Sequence, residues 1–259
     1  MKLKLHEWGS PTAGKTALLI HGVMSSSGTW VRVAPLLVQR GYRVIAPDLR
    51  GHGESSYAHS YTSEDFAADL IDSLPTGTDV AIGHSLGGRS LLLAVDELAP
   101  GKAVYSDPAW KMSGIAGPGA AVMAQYAAAT KTVTAEQIQK MNPRWAPEDV
   151  AAEQAGYAAW DVKVLDEVAA FGDLDVPAPK IPSLVQAADP SFLISPEYGG
   201  QLRGLGYEVR FVPDTGHCIF RDDLAGFMAS LDRGEPSPQT PAADRGEPSP
   251  QTPAADGWI

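Results

Sequence analysis

The residues best suited to covalent chemistry surround Ser85, in the segment Gly83-His84-Ser85-Leu86-Gly87. Residues 79–82 before it are typical of a strand and residues 91–94 after it of a helix, which is the context of a G-x-S-x-G nucleophile. Glycines two positions to either side of the serine leave room for a strained backbone. The pattern predicts a serine nucleophile for acyl transfer, although a glycine-rich turn with an incidental serine has the same letters.

A serine hydroxyl is a poor nucleophile unless a neighbouring base takes its proton. His217 is the one histidine that follows Ser85 in the sequence, and it comes shortly after the last predicted strand, in Val212-Pro213-Asp214-Thr215-Gly216-His217. For a serine on a strand-to-helix turn of this kind, the chain order is serine, acid and then histidine. His217 is therefore predicted to be the general base.

The acid that would orient His217 has two candidates. Asp189 follows the predicted strand Pro182–Gln186, and Asp107 follows Ala103–Tyr105. Both lie at the carboxyl ends of strands, where open α/β sheets build their sites. Asp107 can also be interpreted as a turn aspartate before a proline. Asp189 is the preferred acid, and Asp107 stays the alternative.

A tetrahedral intermediate needs amide donors for its oxyanion. One is expected from the residue after the nucleophile, Leu86, whose amide lies at a helix start. The second should come from a tight loop after another strand, and His21-Gly22-Val23-Met24 fits that description. The Val23 amide is the preferred second donor, with the Met24 amide as the alternative.

Short apolar runs bounded by turn residues alternate with helical patterns along the chain. The alternation predicts an α/β fold with a mostly parallel central sheet covered by helices on both faces. The predicted strands are Lys2–Trp8, Thr16–Ile20, Arg43–Ala46, Asp79–Ile82, Ala103–Tyr105, Pro182–Gln186 and Glu208–Val212. The predicted helices between them are Gly28–Gln39, Ser63–Ser73, Leu86–Leu98, Pro196–Arg203 and Asp222–Leu231.

One interval, residues 108–179, breaks this alternation with alanine-rich helical sequence. We expect it to be a helical cap inserted between the two parts of a core, 1–107 and 180–231. Asn142-Pro143 and Ala146-Pro147 should break the cap into separate helices. The predicted cap helices are Ala120–Thr130, Ala135–Met141 and Pro147–Phe171.

The end of the chain, residues 232–259, contains a repeat: Asp232–Ala243 recurs residue for residue as Asp244–Ala255. The repeat is rich in proline and nearly devoid of apolar side chains, so that it cannot offset the entropy lost on ordering. We expect this tail to be disordered. A docking or linker role is the other interpretation of its composition.

The overall charge bears on the class of partner. The 259 residues include 31 acidic and 20 basic side chains, a net charge of −11. An acidic surface disfavours nucleic acid and anionic membranes as partners. The single cysteine, Cys218, excludes an intrachain disulfide and fits a reducing compartment. With no signal-peptide pattern and no run of about 18 to 20 apolar residues, a cytoplasmic location is expected; the oligomeric state stays open.

Four motifs in this order resemble the α/β-hydrolase superfamily, and the resemblance spans Leu3 to Leu231. It implies that the Asp48–Ser55 stretch is a structural turn, so that Asp48 and His52 are not catalytic. It favours Asp189 as the acid, because the family's acid usually follows the corresponding strand, whereas some members take it from the preceding one, as Asp107 would require. The motifs are His21-Gly22 with Trp30 downstream, Ala46–Ser55, Gly83–Gly88 and Thr215-Gly216-His217.

The resemblance implies a serine hydrolase that cleaves a small to medium, largely apolar carboxylic ester or lactone through an acyl-enzyme on Ser85. Carbon–carbon or thioester hydrolysis by the same triad, and a slow-turnover ligand receptor on the same fold, are the alternatives. Family members that release halide or open epoxides use an aspartate nucleophile where this chain has serine, which argues against those reactions.

A small-molecule substrate is the expected partner, and no cofactor or metal is expected. The histidines outside the proposed triad show no metal-ligand spacing with cysteine or a carboxylate cluster. Seven apolar side chains are candidates for the substrate pocket, although most of them could equally belong to the core of the cap. They are Met24, Trp110, Met112, Met123, Trp145, Trp160 and Phe192.

A competing motif lies near the start of the chain, where Gly9–Thr16 matches the phosphate-binding pattern G-x-x-x-x-G-K-[ST]. A phosphate-binding loop must leave a strand and open a helix, whose amides hold the phosphates. Residues 17–22, which follow the motif, are instead typical of a strand that ends in glycine. The segment is therefore predicted to be a hairpin turn between the first two strands rather than a nucleotide site.

Overall fold

The computed structural model describes residues 1–113, 125 and 127–232. Its centre is a seven-stranded sheet in the order β1-β3-β2-β4-β5-β6-β7. Only the edge strand β1 is antiparallel to its neighbour, and every other pairing is parallel. The strands are β1 Lys4–Trp8, β2 Lys15–Ile20, β3 Tyr42–Asp48, β4 Val80–His84, β5 Ala103–Ser106, β6 Ser183–Asp189 and β7 Glu208–Pro213. The predicted mostly parallel sheet is confirmed.

Helices cover both faces of this sheet. On one face α2, α3 and α7 contribute to a large apolar core, and on the other α1 and α9 pack on the alternate strand residues. The inner strands β2 to β6 are mainly buried, which explains why their sequences are largely apolar rather than alternating. The helices are α1 Val33–Gln39, α2 Ser63–Ser73, α3 Leu86–Leu98, α4 Ala135–Met141, α5 Pro147–Ala158, α6 Lys163–Val168, α7 Pro196–Leu205, α8 Ile219–Asp222 and α9 Leu224–Leu231.

Three predicted helices are interrupted in the structure. The predicted helix Gly28–Gln39 is a 3-10 turn at Ser27–Trp30 followed by α1, and Asp222–Leu231 is divided between α8 and α9. The predicted helix Pro147–Phe171 breaks around Trp160, whose backbone pairs with His52 in an isolated bridge. Periodicity within one segment does not indicate the break around Trp160, because it accompanies a contact with a distant segment.

The phosphate-motif segment Gly9–Thr16 does not lead into a helix. Lys15 is the first residue of β2, so no helix N-terminus is available to hold a phosphate. The prediction of a hairpin was also wrong, because β3 lies between β1 and β2 in the sheet. The segment is a connection that crosses over β3.

Helices α4, α5 and α6 lie between β5 and β6 in the chain, where the cap is predicted. The breaks expected at Asn142-Pro143 and Ala146-Pro147 are present, since α4 ends at Met141 and α5 begins at Pro147. The cap boundaries 108–179 stay a prediction. Met123 and the repeat-containing tail from residue 233 onward lie outside the described residues. Within the described residues, no helix is long and apolar enough to cross a membrane.

Candidate active site

Ser85 lies in the sharp turn between β4 and α3, with φ 53° and ψ −116°. Such a positive φ is strained for any residue with a side chain. The turn is held by the Ser85 amide, which donates to the Ser106 carbonyl at 3.1 Å. A Cβ on Gly87 would lie 2.4 Å from the Ile20 carbonyl oxygen, and one on Gly83 would lie 2.5 Å from that of Gly87. Both glycines are therefore required for this turn to close.

His217 lies in the loop after β7, and its ring is fixed by a buried carboxylate. His217 Nδ1 lies 2.7 Å from Oδ2 of Asp107, whose side chain is fully buried at the end of β5. The other carboxylate oxygen, Oδ1, accepts from Ser191 Oγ at 2.7 Å and from the Ala188 amide at 3.3 Å. With Nδ1 occupied by Asp107, the imidazole presents Nε2 as its free nitrogen.

The preference for Asp189 is corrected by this geometry. The sequence-based strand ended at Gln186, which would have left Asp189 in a loop that could turn toward His217. Strand β6 instead continues through Asp189, which is paired with Pro213 of β7 and exposed to solvent. Asp107, the alternative acid, turns out of the end of β5 with a positive φ of 42°. The longer β6 thus keeps Asp189 at the strand end, and Asp107 takes the position next to His217.

Ser85 and His217 line the same cavity, together with residues of the loop after β2 and of the cap. Among the hydrogen bonds of the described residues there is none between Ser85 Oγ and His217. Such contacts are often long in ligand-free sites and shorten when substrate binds. His84 also holds the His217 loop in place, because its Nε2 donates to the His217 carbonyl at 2.9 Å.

The two predicted oxyanion donors lie on the cavity wall beside Ser85. Leu86 is the first residue of α3, so its amide has no acceptor within the helix. Val23 lines the cavity in the loop after β2. The alternative donor, the Met24 amide, is engaged elsewhere, because it donates to His52 Nε2 at 3.2 Å. The geometry thus favours Val23 over Met24 as the second donor.

His52 holds this loop as an uncharged imidazole. Its Nδ1 lies 2.9 Å from the Arg50 carbonyl, so Nδ1 carries the proton and Nε2 is free to accept from Met24. Burial, followed by the nearby His21, lowers the pKa of His52 to about 3. Met24 itself has a positive φ of 61°. His52 is therefore a structural residue, and its link to the oxyanion loop was not visible in the sequence.

Two further histidines of the motifs are buried and neutral. Burial lowers the pKa of His21, whose Nδ1 donates to the Gly22 carbonyl while Nε2 accepts from the Leu49 amide at 3.0 Å. Burial also lowers the pKa of His84 well below its usual value.

Asp48 accepts from the amides of Ser27 and Glu54 at 2.7 and 2.8 Å. These contacts agree with the structural turn that the family resemblance implies.

The cavity beside Ser85 has a volume of about 430 Å³. Of the predicted pocket residues, Met24, Met112, Trp145 and Phe192 line it. Trp110 and Trp160 are corrected to core residues. Trp110 is buried against Tyr105 and donates to the Gly88 carbonyl, and Trp160 donates to Thr130 within the cap.

One wall of the cavity is polar, which the sequence analysis missed. Arg221 of α8 is 1% exposed, forms an ion pair with Glu153 of α5, and donates to Thr29 Oγ1 at 2.7 Å. Although burial opposes the charged form, the neighbouring Glu153 raises the pKa of Arg221. All three residues line the cavity. The position of Arg221, four residues after His217, was the only available signal.

Cys218, next to His217, is a partly buried residue on the cavity wall. Burial raises its pKa to about 12, which keeps it protonated and a weak nucleophile at neutral pH. Within the described residues, no group of three or more histidine, cysteine, aspartate or glutamate side chains is arranged to hold a metal ion.

Comparison with known proteins bears on the family and the fold. The chain is 27% identical over 243 residues to an N-formylmaleamate deformylase of Pseudomonas putida, covering 84% of this chain and 87% of that protein. It is 42% identical to a non-heme haloperoxidase of Rhodococcus erythropolis, but only over 86 residues, or 30% of the haloperoxidase. A solved N-formylmaleamic acid deformylase from Pseudomonas putida superposes with a TM-score of 0.69 at 24% identity, covering 87% of this chain and 94% of the other, which shows a shared fold.

A family model also matches most of the chain. The model of the alpha/beta hydrolase family matches residues 17–229, from β2 to the last helix, and so includes Ser85, Asp107 and His217. Because the match covers most of the chain, and because the sheet and helices have the same architecture as solved members, the assignment does not depend on one short motif. The chain belongs to the alpha/beta hydrolase family.

Proposed function

We propose that this hydrolase cleaves a small to medium carboxylic ester or lactone through an acyl-enzyme on Ser85, with His217 as general base and Asp107 as its orienting acid. The observation that carries the proposal is the 2.7 Å contact between His217 Nδ1 and a fully buried Asp107 carboxylate. A buried carboxylate in that position fixes the imidazole tautomer and stabilises the imidazolium that forms during proton transfer. A ligand receptor would not need this arrangement.

The reaction follows from the positions of these groups. Ser85 Oγ attacks the carbonyl carbon while His217 Nε2 accepts its proton, and the amides of Val23 and Leu86 stabilise the oxyanion. His217 then donates the proton to the leaving alcohol, which leaves the acyl group on Ser85. Water, activated by the same imidazole, attacks the acyl-enzyme and releases the acid.

The character of the cavity supports a substrate that is apolar in part. Met112, Leu165, Val168 and Leu193 form an apolar wall beside Ser85. A volume of about 430 Å³ suits a small to medium molecule. Ester and lactone substrates share the carbonyl chemistry of the proposed site, and a lactone would release its alcohol within the same acyl-enzyme.

Amide hydrolysis is a second candidate. One relative, which matches 84% of this chain, is named a deformylase of N-formylmaleamate. The same nucleophile, base and oxyanion donors can cleave a C–N bond if His217 protonates the departing nitrogen. Thioester cleavage has similar support, since one solved structure of the same fold is a thioesterase domain from a curacin biosynthetic pathway, at 22% identity. Carbon–carbon bond hydrolysis by the same triad stays open.

The test is labelling with a fluorophosphonate probe, followed by turnover measurements on aryl esters, lactones, N-formyl amides and thioesters. Wild-type protein should be labelled at Ser85 and should hydrolyse at least one ester or lactone, whereas Ser85→Ala should do neither. An unlabelled wild-type protein, or a Ser85→Ala variant with the wild-type rate, would contradict the proposed nucleophile. Turnover of N-formyl amides without turnover of esters would favour the second candidate.

A further inference from the structure

The lining of the cavity includes a buried ion pair, and no step of the proposed reaction uses it. Arg221 of α8 and Glu153 of α5 pair within the cavity lining, at 1% and 9% residue exposure. Taking two charges out of water is costly, and their mutual attraction offsets the cost only when the geometry is good. Apolar side chains would line a purely apolar pocket at a lower cost in free energy than this charged pair.

Each partner of the pair leaves one polar atom unpaired among the described residues. Arg221 donates to Glu153 and to Thr29 Oγ1, and its guanidinium lies over the Trp145 ring at 4.6 Å, whereas its Nε is buried without a hydrogen-bond partner. Glu153 accepts from Arg221 through Oε2 only. Among the described residues, its second oxygen, Oε1, has no hydrogen-bond donor. A carboxylate oxygen at the cavity wall is thus left to accept from whatever fills the cavity.

The remaining charges around the cavity indicate which kind of group would fit. Asp222 also lines it, with its oxygens accepting from Trp145 Nε1 at 2.8 Å and from the Gly216 amide at 2.6 Å. The described lining residues thus include two carboxylates, those of Glu153 and Asp222, and one guanidinium, that of Arg221. A carboxylate on the substrate would be repelled, whereas a hydrogen-bond donor would be accepted.

We propose that Glu153, held in place by Arg221, binds a hydrogen-bond donor on the substrate, so that the preferred substrate is an ester or lactone with an apolar part and a separate hydroxyl, N–H or ammonium group. This inference rests on the proposed hydrolase function and adds a substrate class to it. Glu153 is the binding group, and Arg221 is a positioning residue that acts through it.

The alternative role of the pair is to fasten the cap helix α5 to the core. The same helix offers a matched control, because Asp149 of α5 pairs with Arg32 at 2.7 Å and neither residue lines the cavity. Removing either pair would loosen the cap. Only removal of the Arg221–Glu153 pair would change which substrates are preferred.

The experiment compares kcat/KM for p-nitrophenyl alkanoates of several chain lengths whose far end is methyl, hydroxyl, ammonium or carboxylate. A second series places the same groups on the alcohol side of hexanoate esters, with hydrolysis followed by acid release. In at least one series and chain length, wild-type protein should prefer a hydroxyl or ammonium end over methyl by about tenfold or more, the effect of one hydrogen bond to a charged group. The carboxylate end should be the poorest.

The variants then assign the preference to the pair. Replacing both partners together, Glu153→Met with Arg221→Met, avoids leaving one charge buried alone. This double variant should lose the preference for donor ends, measured as a ratio of kcat/KM values. The double variant Arg32→Met with Asp149→Asn, which keeps an acceptor for the Ala146 amide, should retain it.

The inference would be overturned by a wild-type protein without preference for donor ends in either series, or by a preference that survives in the Glu153→Met, Arg221→Met variant. Preference for the carboxylate end would also contradict it. Failure of the proposed function would give a different result, because wild-type protein would then hydrolyse none of the esters or would hydrolyse them at the same rate as Ser85→Ala.

Discussion

His217 and Asp107 lie 110 positions apart in the chain, and the sheet brings His217 Nδ1 to 2.7 Å from Asp107 Oδ2. The carboxylate also accepts hydrogen bonds from Ser191 Oγ and from the Ala188 amide. Asp107 therefore has hydrogen-bond partners in β6 itself, in the segment after β6 and in the segment after β7, and these contacts fix its orientation. This relationship gives the first prediction.

Asp107→Asn should lower kcat by about 10⁴, the loss seen when the orienting acid of a serine-protease triad is replaced by its amide. The loss arises because an amide holds the imidazole in the wrong tautomer. Asp189→Asn, at the exposed end of β6, should change kcat by less than about threefold, as a surface substitution outside the site does. The measurement is steady-state hydrolysis of an aryl ester. Equal losses in the two variants, or a larger loss for Asp189→Asn, would rule out Asp107 as the acid.

His52→Asn should lower kcat and leave KM nearly unchanged, because the oxyanion loop acts on the transition state. The side chain of asparagine cannot reach the Met24 amide, which now bonds to His52 Nε2. Complete loss of one oxyanion donor costs about 10²–10³ in kcat, and a displaced loop should cost about tenfold or more. His52→Gln, whose terminal oxygen can occupy the Nε2 position, should restore most of the rate.

The control for these substitutions is the exposed His59. His59→Asn should keep the wild-type kcat and KM. A rise in KM without a fall in kcat in His52→Asn, or equally impaired Asn and Gln variants, would show that His52 does not act through the Met24 amide.

The low pKa of His52 makes folding stability sensitive to acid. Between 6.5 and about 3 this imidazole takes up a proton only when the chain is unfolded, so the free energy of unfolding falls as pH falls through that window. Relative to His52→Gln, wild-type protein should lose about 2 kcal/mol between about pH 7.5 and about pH 5. Urea denaturation at each pH measures the difference. A difference that is independent of pH would mean that His52 is not buried as the neutral form.

Gly87→Ala should destabilise the fold and disable the nucleophile turn. A Cβ at this position would meet the Ile20 and His21 carbonyl oxygens at 2.4 and 2.5 Å, and both belong to backbone that cannot yield easily. Overpacking of this kind costs about 1–3 kcal/mol. Thermal unfolding and fluorophosphonate labelling of Ser85 should both report the damage.

Gly200 provides the matched control for this substitution. It lies within α7, and a Cβ there would meet no atom within 4 Å. Gly200→Ala should therefore raise the free energy of unfolding by about 0.5–1 kcal/mol, because alanine is the better helix former. Equal melting temperatures for Gly87→Ala and wild-type protein would show that the nucleophile turn tolerates a side chain.

The strands, most helices and the family could be predicted from the sequence because their signals are local. Buried parallel strands are continuous apolar runs, and Gly83–Gly87 carries its own strand-turn-helix context. The base could be predicted for a different reason, since His217 is the one histidine after Ser85. The split of Pro147–Phe171 was missed because Trp160 pairs with His52, a contact between distant segments.

The sequence by itself determined that Ser85 and His217 were the residues to examine, since type, order and spacing suffice for that. Only the tertiary structure decided between Asp107 and Asp189, because both end neighbouring strands and the choice depends on how far β6 extends. It also brought Glu153 and Arg221 together as an ion pair, and it placed His52 where it accepts a hydrogen bond from the Met24 amide. Each of these pairs joins segments far apart in the chain, and no local pattern encodes a distance between segments that only the folded sheet brings together.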